Sequence, residues 1–306
     1  MKIIVTGGAG FIGSNVVDFY VRGGHKVVVI DNLSTGFRKN LNPKAKFYKA
    51  DINNLKEMDR IFHVEKPEIV NHHAALASVI ESIRSPISTF QTNVIGTVNL
   101  LVSFGKHGRG KNKKFIFSST GGAIYGSPKK IPVSENATLF PLSPYGFSKL
   151  LGEETIKFYA REFGFDYLIF RYPNVYGPRQ NPKGEGGVVA IFGGLMKSGK
   201  RPTIFGDGTK MRDYVYAGDI AEANVSALKK GSNEIMNLGW GKAVSDRGIF
   251  DAIAKELEFG SEPVYAPRRK GEVYKTALYA HKARRILAWR PKTKLEEGIE
   301  KTIRSI

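Results

Sequence analysis

The chain opens Met1-Lys2-Ile3-Ile4-Val5-Thr6-Gly7-Gly8-Ala9-Gly10-Phe11-Ile12-Gly13, and this stretch decides the fold. Ile3-Ile4-Val5 is an uninterrupted apolar run, as a strand buried on both faces requires. Phe11–Arg22 reads as a helix, and Gly23-Gly24 ends it. Between the two lies Gly8-x-Gly10-x-x-Gly13. Residues without side chains permit a tight turn and let backbone N–H groups approach a pyrophosphate, which the positive end of the helix also favours. Strand, glycines and helix in this order are the context in which the motif signals dinucleotide binding. The candidate cofactor contacts are Gly7, Gly10, Phe11, Ile12 and Gly13.

Outward from this loop, strands are expected at Val27–Ile30, Lys46–Lys49, Ile69-Val70, Lys114–Phe117 and Tyr167–Phe170. Helices are expected at Leu55–Val64, Thr89–Phe104 and Tyr145–Glu162. That alternation predicts an α/β fold, a doubly wound parallel (Rossmann) sheet with right-handed crossovers. Past residue 173 the alternation lapses. Asn174–Gly187 is rich in Pro and Gly, and helical stretches follow at Val188–Lys197, Gly218–Leu228, Ser245–Leu257, His281–Leu287 and Lys294–Ile303. The expected organisation is a dinucleotide-binding domain over 1–173. A smaller, mostly helical C-terminal substrate lobe spans 174–306, part of it returning to complete the sheet.

Composition narrows the class. The 306 residues hold 47 Lys and Arg against 28 Asp and Glu, a formal charge of +19, and no Cys. A chain without Cys has no disulfide scaffold, thiolate zinc site or Cys nucleophile. No apolar run approaches the ~20 residues of a membrane span. The N-terminus also reaches its glycines too early for a signal peptide. The expectation is a soluble cytoplasmic protein with no membrane partner. The basic residues are spread along the chain, in short clusters at Arg109–Lys114, Arg268–Lys270 and Lys282–Arg285 that are not interleaved with aromatics. They read as a solvated basic surface, and no nucleic acid is expected as partner. His72 and His73 are adjacent, so they point apart, and no third ligand is spaced to complete a metal site; none is expected.

Asp31 ends the second strand at the distance from the glycines where a carboxylate accepts hydrogen bonds from ribose hydroxyls and repels a 2′-phosphate, which favours NAD over NADP. The alternative for Asp31 is a turn cap, since Asn32-Leu33-Ser34-Thr35-Gly36 follows. Asn32 is grouped with Asp31 as a cofactor residue. Asp51 and Ile52 close the third strand beside the expected adenine, and Ala74 follows the fourth strand where a small residue lets the chain pass near the cofactor.

Tyr145 and Lys149 lie four residues apart near the start of a helix, on one face of it. An ammonium beside a phenol favours the phenolate and lowers its pKa from ~10, which would make Tyr145 a general base for an alcohol. Ser118-Ser119-Thr120 ends the fifth strand, at the sheet edge where such folds bind ligands. A hydroxyl there can hold a substrate oxygen against Tyr145. Ser119 and Thr120 both qualify, and Thr120 is preferred.

These residues resemble the extended short-chain dehydrogenase/reductases, and within them the nucleotide-sugar enzymes of the UDP-glucose/galactose 4-epimerase type. The resemblance rests on the glycine loop, Asp31, Asn71-His72-His73-Ala74-Ala75, Asn93 in Thr92-Asn93-Val94-Ile95-Gly96-Thr97, and Ser143-Pro144-Tyr145-Gly146-Phe147-Ser148-Lys149. It continues in Arg171-Tyr172-Pro173-Asn174-Val175-Tyr176-Gly177-Pro178, Phe205-Gly206-Asp207-Gly208, Arg212-Asp213-Tyr214-Val215 and Arg268-Arg269-Lys270-Gly271-Glu272. It implies catalytic roles for Thr120, Tyr145 and Lys149 and a cofactor contact at Asn93. It also implies that Asn174, Arg212 and Arg269 hold a diphosphate, Glu272 meets the ribose and Phe205 lies by the uracil. For Arg212 alone, an ion pair with Asp213 is the alternative. A homodimer joined through the Thr89–Phe104 and Tyr145–Glu162 helices is implied as well. So is a sugar-pocket wall at Thr276, where a large Tyr goes with rejection of N-acetylated sugars.

Relatives that eliminate water carry an Asp-Glu pair after the Ser/Thr run, and decarboxylases usually carry a Glu there. Here the positions are Gly121, Gly122 and Ala123. Without an added acid and base, elimination is disfavoured. The expected function is NAD-dependent 4-epimerisation of a UDP-hexose through a transient 4-keto sugar. The alternatives are an epimerase of UDP-glucuronate or a UDP-N-acetylhexosamine, or a catalytically idle NAD-binding regulatory protein.

Overall fold

The computed structural model describes residues 1–110, 112–183, 187–269 and 272–306. Its first half alternates strands and helices: β1 (Lys2–Thr6), α1 (Phe11–Arg22), β2 (Lys26–Asp31), β3 (Lys46–Lys49), α2 (Leu55–Glu65) and β4 (Ile69–His72). The chain continues through α3 (Val79–Arg84), α4 (Pro86–Phe90), α5 (Gly96–His107), β5 (Lys114–Thr120), α6 (Pro144–Phe163) and β6 (Asp166–Tyr172). The second half contributes β7 (Asn174–Tyr176), α7 (Val188–Lys197), β8 (Thr203–Phe205), β9 (Met211–Arg212), β10 (Tyr214–Tyr216), α8 (Ala217–Ala227) and β11 (Glu234–Asn237). It ends in β12 (Val244–Ser245), α9 (Asp246–Glu256), β13 (Val264–Ala266), α10 (His281–Leu287) and α11 (Leu295–Arg304).

Seven strands form one parallel sheet in the order β11-β6-β5-β4-β1-β2-β3. Alternating side chains of one strand feed two cores. Ile3 and Val5 join Val17, Tyr20, Phe170 and Trp289 on one face. Ile4 joins Phe62, Leu100, Phe104 and Ile156 on the other. Each such fully buried side chain contributes about 1.5–3 kcal/mol of apolar burial. The doubly wound fold expected from the alternation is thus present. The direction of winding reverses between β1 and β4, so the loops after these strands flank a crevice at the C-terminal sheet edge.

β11 hydrogen-bonds to β6 with Met236 opposite Phe170, so part of the second half does return to the sheet. α8 and α10 also pack on the sheet, through Ile220, Ala221, Ala283 and Leu287, whereas α7, α9 and α11 enclose a separate core of Phe192, Met196, Ile249, Phe250, Ile253, Ile299 and Ile303. Three short strand pairs, β7 with β10, β8 with β13 and β9 with β12, stitch this region together. No helix among the described residues is long and apolar enough to cross a membrane.

One expected element differs. Thr89–Phe104 is the middle of a longer, interrupted helical run that starts earlier and ends at His107. Pro86 opens α4 at a first-turn position, and Gln91–Ile95 is a π-turn. Proline is suited to the first turn because its missing N–H is not needed there. The wider turn carries Asn93, whose Nδ2 donates to Leu76 O and Ser148 Oγ at 3.0 and 2.9 Å.

Candidate active site

The glycine loop begins at the end of β1, and each glycine answers to a different neighbour. Gly7 has φ +69°, and a Cβ there would lie 2.6 Å from Ala74 N. A Cβ on Gly13 would meet Gly7 O at 2.3 Å. Gly8 instead faces the core, where a Cβ would press on Val29 and Val17. The N-terminus of α1 has Gly10 as its cap, with no side-chain hydrogen bond and no acidic residue in the first turn. Its leading N–H groups therefore lack a side-chain cap, as a site for an anion requires. Gly7, Gly10, Phe11, Ile12 and Gly13 line a cavity of about 1100 Å³.

Asp31, Asn32, Asp51, Ile52 and Ala74 line the same cavity. Asp31 fulfils its turn-cap alternative. Its Oδ2 accepts from Ala9 N at 3.0 Å and its Oδ1 from Leu33 N at 2.8 Å. A carboxylate has about four lone-pair sites, so acceptor capacity remains. Asn32 Nδ2 donates to Asp51 Oδ2 at 3.0 Å, which ties the ends of β2 and β3. Asn93 is not among the lining residues; it holds the lining loop instead, through Leu76. His72, at the end of β4, is satisfied by Thr6 Oγ1 at 2.6 Å and Thr97 Oγ1 at 2.9 Å. His73 stacks on Tyr172 at the cavity.

Thr120, Tyr145 and Lys149 meet on one wall. Ser143 caps α6 by accepting from Gly146 N at 3.2 Å, and Pro144 occupies its first turn, so Tyr145 and Lys149 sit in the first two turns. The three hydroxyls ending β5 separate by partner. Ser118 donates to His72 O at 2.9 Å and Ser119 to Glu153 Oε1 at 2.5 Å. Thr120 lies beside Tyr145, close enough for its hydroxyl to act on the phenol and lower its pKa. Its hydroxyl is therefore the one set against the phenol. Lys149 is buried, donates to Ser118 O at 2.8 Å, and lies 4.7 Å from the Phe117 ring centre.

The electrostatics correct one expectation. Burial pushes the Tyr145 phenol up to about 12, and the Thr120 hydroxyl beside it only partly opposes this. Burial likewise brings Lys149 down to about 7, against the pull of the Glu153 carboxylate. The Lys149 ammonium is satisfied by a carbonyl rather than by the phenol, so it does not by itself bring Tyr145 toward neutrality. A further positive charge in the cavity would favour the phenolate.

A buried ion pair that the sequence does not announce lies beneath this wall. Glu153 and Arg171 form a two-point ion pair, Nε–Oε1 2.9 Å and Nη2–Oε2 2.7 Å, with side chains 0% and 3% exposed. Arg171 also donates to Tyr125 Oη at 2.9 Å, and Tyr125 to Asn237 Oδ1 at 2.7 Å. The available signal was Glu153 itself, one turn beyond Lys149 on the stripe Tyr145–Lys149–Glu153.

The far end of the cavity is lined by Asn174, Phe205, Lys210, Arg212, Asp246, Arg269, Glu272 and Val273. Arg212 is buried and donates to Met211 O at 2.9 Å and to Val273 O. Its alternative partner Asp213 instead accepts from the N–H groups of Trp240, Gly241 and Leu278. Among the described residues, no carboxylate lies within ion-pair distance of Arg212, so its charge is open to an anion. Arg269 is exposed, and its guanidinium lies 3.4 Å over the Phe205 ring. Lys270 and Gly271 of the same motif lie outside the described residues. Thr276 is buried and does not line the cavity, and Tyr274 and Tyr279, its nearest aromatic neighbours in sequence, face outward.

Residues 3–239 match the NAD dependent epimerase/dehydratase family. A UDP-glucose 4-epimerase of Mycolicibacterium smegmatis is 39% identical over 309 residues, 99% of this chain and 97% of that protein. The structure of a UDP-glucose 4-epimerase of Thermotoga maritima with UDP-glucose has a TM-score of 0.97 and 48% identity, covering 100% of this chain and 98% of that one. A UDP-glucose 4-epimerase of Thermus thermophilus in complex with NAD has a TM-score of 0.94 and 38% identity, with the same coverage.

Proposed function

The chain belongs to the NAD dependent epimerase/dehydratase family, and from that premise we propose that it interconverts UDP-glucose and UDP-galactose at C4, through a transient 4-keto sugar, with NAD as its cofactor. The observation that carries this reading is a single cavity. It joins an N-terminus without a side-chain cap, the Thr120–Tyr145–Lys149 wall and an arginine-bearing end. Gly7, Gly10, Phe11, Ile12, Gly13, Asp31, Asn32, Asp51, Ile52 and Ala74 would hold NAD together with Tyr145 and Lys149, while Asn93 acts through the loop it fastens. When bound, NAD+ supplies the acceptor and then the donor of the C4 hydride, and it brings positive charge into the cavity.

Tyr145 takes the proton of the sugar 4-hydroxyl and later returns it. Thr120 holds that oxygen, and Lys149 supports the phenolate by its charge. Arg212, Arg269 and Asn174 grip the diphosphate, Phe205 packs on the base, and Glu272 accepts from the ribose. A nucleotide held tightly and a hexose held loosely let the sugar present either face, so remote binding energy serves the chemistry. Gly121, Gly122 and Ala123 offer no acid or base for elimination. We assign 1–173 to the NAD-binding domain and 174–306 to the nucleotide-sugar lobe, and place the activity in the cytoplasm, in line with a cysteine-free chain.

The test is turnover of UDP-galactose, read by appearance of UDP-glucose. Its absence, with bound NAD intact, would leave an epimerase of UDP-glucuronate or a UDP-N-acetylhexosamine, or the idle NAD-binding alternative.

Ile83, Ile87, Ile95, Phe147 and Phe158 are exposed on or between α3 and α6, and Phe90 and Phe147 join α4 to α6 edge to face. This apolar helical surface is suited to pairing with a second copy as a homodimer in a four-helix contact. Light scattering should give twice the chain mass, and Phe158→Glu with Ile87→Glu should give the monomer. A monomeric wild type at micromolar concentration would refute the assignment.

A further inference from the structure

Lys210 bridges two carboxylates at the nucleotide end of the cavity. Its Nζ lies 3.1 Å from Asp246 Oδ2 and 3.1 Å from Glu272 Oε2. Asp246 is the fixed member of the three. It is the first residue of α9, whose Ser245 cap accepts from Gly248 N at 3.0 Å, and it is 4% exposed. Glu272 is the more exposed carboxylate and immediately precedes Val273, whose carbonyl accepts from Arg212.

The two cations of this cluster therefore differ in kind. Arg212 donates to carbonyls and keeps its charge open to phosphate, whereas the charge of Lys210 is spent on Asp246 and Glu272. Lys210 holds Oε2 of Glu272, and among the described residues Oε1 accepts no hydrogen bond. An unanchored glutamate would lose rotamer freedom on meeting a ligand, and it would face Asp246 without a screening charge. The ammonium removes both costs in advance.

We propose that Lys210, anchored on Asp246, is a positioning residue that fixes the Glu272 carboxylate for the vicinal ribose hydroxyls, and so makes the site select ribonucleoside over 2′-deoxyribonucleoside diphosphates. The proposal rests on the assignment of Glu272 to the ribose made above. A deoxyribose leaves a fixed carboxylate short of one donor, and a desolvated acceptor without its donor is the stronger source of discrimination. A mobile carboxylate would turn away to water and discriminate little.

The experiment measures Kd for UDP and for dUDP by calorimetry on the wild type, Lys210→Met, Lys210→Arg and Glu272→Gln, with NAD content as the check on folding. The wild type should prefer UDP about tenfold, the worth of one charge-assisted hydrogen bond. Lys210→Met should reduce the preference to within about twofold by weakening UDP more than dUDP, and Lys210→Arg should retain it. Loss of a cation alone would weaken both nucleotides equally, so an unchanged ratio in Lys210→Met overturns the proposal. If Glu272→Gln keeps the preference, the ribose assignment fails and the proposal with it. If Glu272→Gln loses the preference while Lys210→Met keeps it, only the role of Lys210 fails.

Discussion

Tyr145→Phe should lower turnover of UDP-galactose by about a hundredfold or more while leaving UDP and NAD affinities within about threefold. The variant loses one oxygen, the atom that carries the substrate proton, and keeps the ring that lines the cavity. The hydroxyl of Thr120 acts on that oxygen, so Thr120→Val should reduce turnover in the same direction. Ser119→Ala should cost less, because the Ser119 proton is already given to Glu153 at 2.5 Å. Turnover of Tyr145→Phe close to wild type would remove Tyr145 as the proton carrier. A larger loss in Ser119→Ala than in Thr120→Val would exchange the roles of the two hydroxyls.

Glu153→Leu should destabilise the fold by about 3–5 kcal/mol, because it strands the Arg171 guanidinium in the interior without its counter-charge. For a chain of this size that corresponds to a fall of about 10 °C in Tm. The double variant Glu153→Leu, Arg171→Leu should regain much of the loss, since the cost lies in the unpaired charge more than in the missing attraction. Urea unfolding of the two single variants and the double variant measures this coupling. Additive losses would show that the pair stabilises by packing alone. The pair matters to the site because it links α6, which carries Tyr145 and Lys149, to β6 and, through Ser119, to β5.

Much of the sheet was legible because its strands are buried on both faces and read as apolar runs. Ile3-Ile4-Val5 and Val27–Ile30 left no second interpretation. α1 carries clean stop signals, with Gly24 at φ +75° just beyond it. The π-turn at Gln91–Ile95 was not legible, since one extra residue in a single turn shifts the side-chain register too locally to stand out in the sequence. The return of Glu234–Asn237 to the sheet was expected only in outline, because a four-residue edge strand carries little pattern.

The site residues were legible as types at spacings, but their partners were not. The resemblance implies a cofactor contact at Asn93, and its hydrogen bonds to Leu76 from within the π-turn carry no mark in the sequence. Lys149 was read as the group that ionises Tyr145, yet burial governs both side chains, and burial depends on how α6 seats on β5. Nothing in the sequence marks Lys210, and only the fold places it against a carboxylate and Glu153 against a guanidinium.

The central claim is that C4 of the sugar is oxidised and reduced again within one cavity, with Tyr145 carrying only the hydroxyl proton. The most direct measurement follows UDP-galactose labelled with deuterium at C4 through turnover in ordinary water. The account predicts UDP-glucose that retains deuterium at C4, with the label independent of the number of turnovers. Product that has exchanged its C4 label with solvent, or a label that stays in unconverted UDP-galactose, would contradict it.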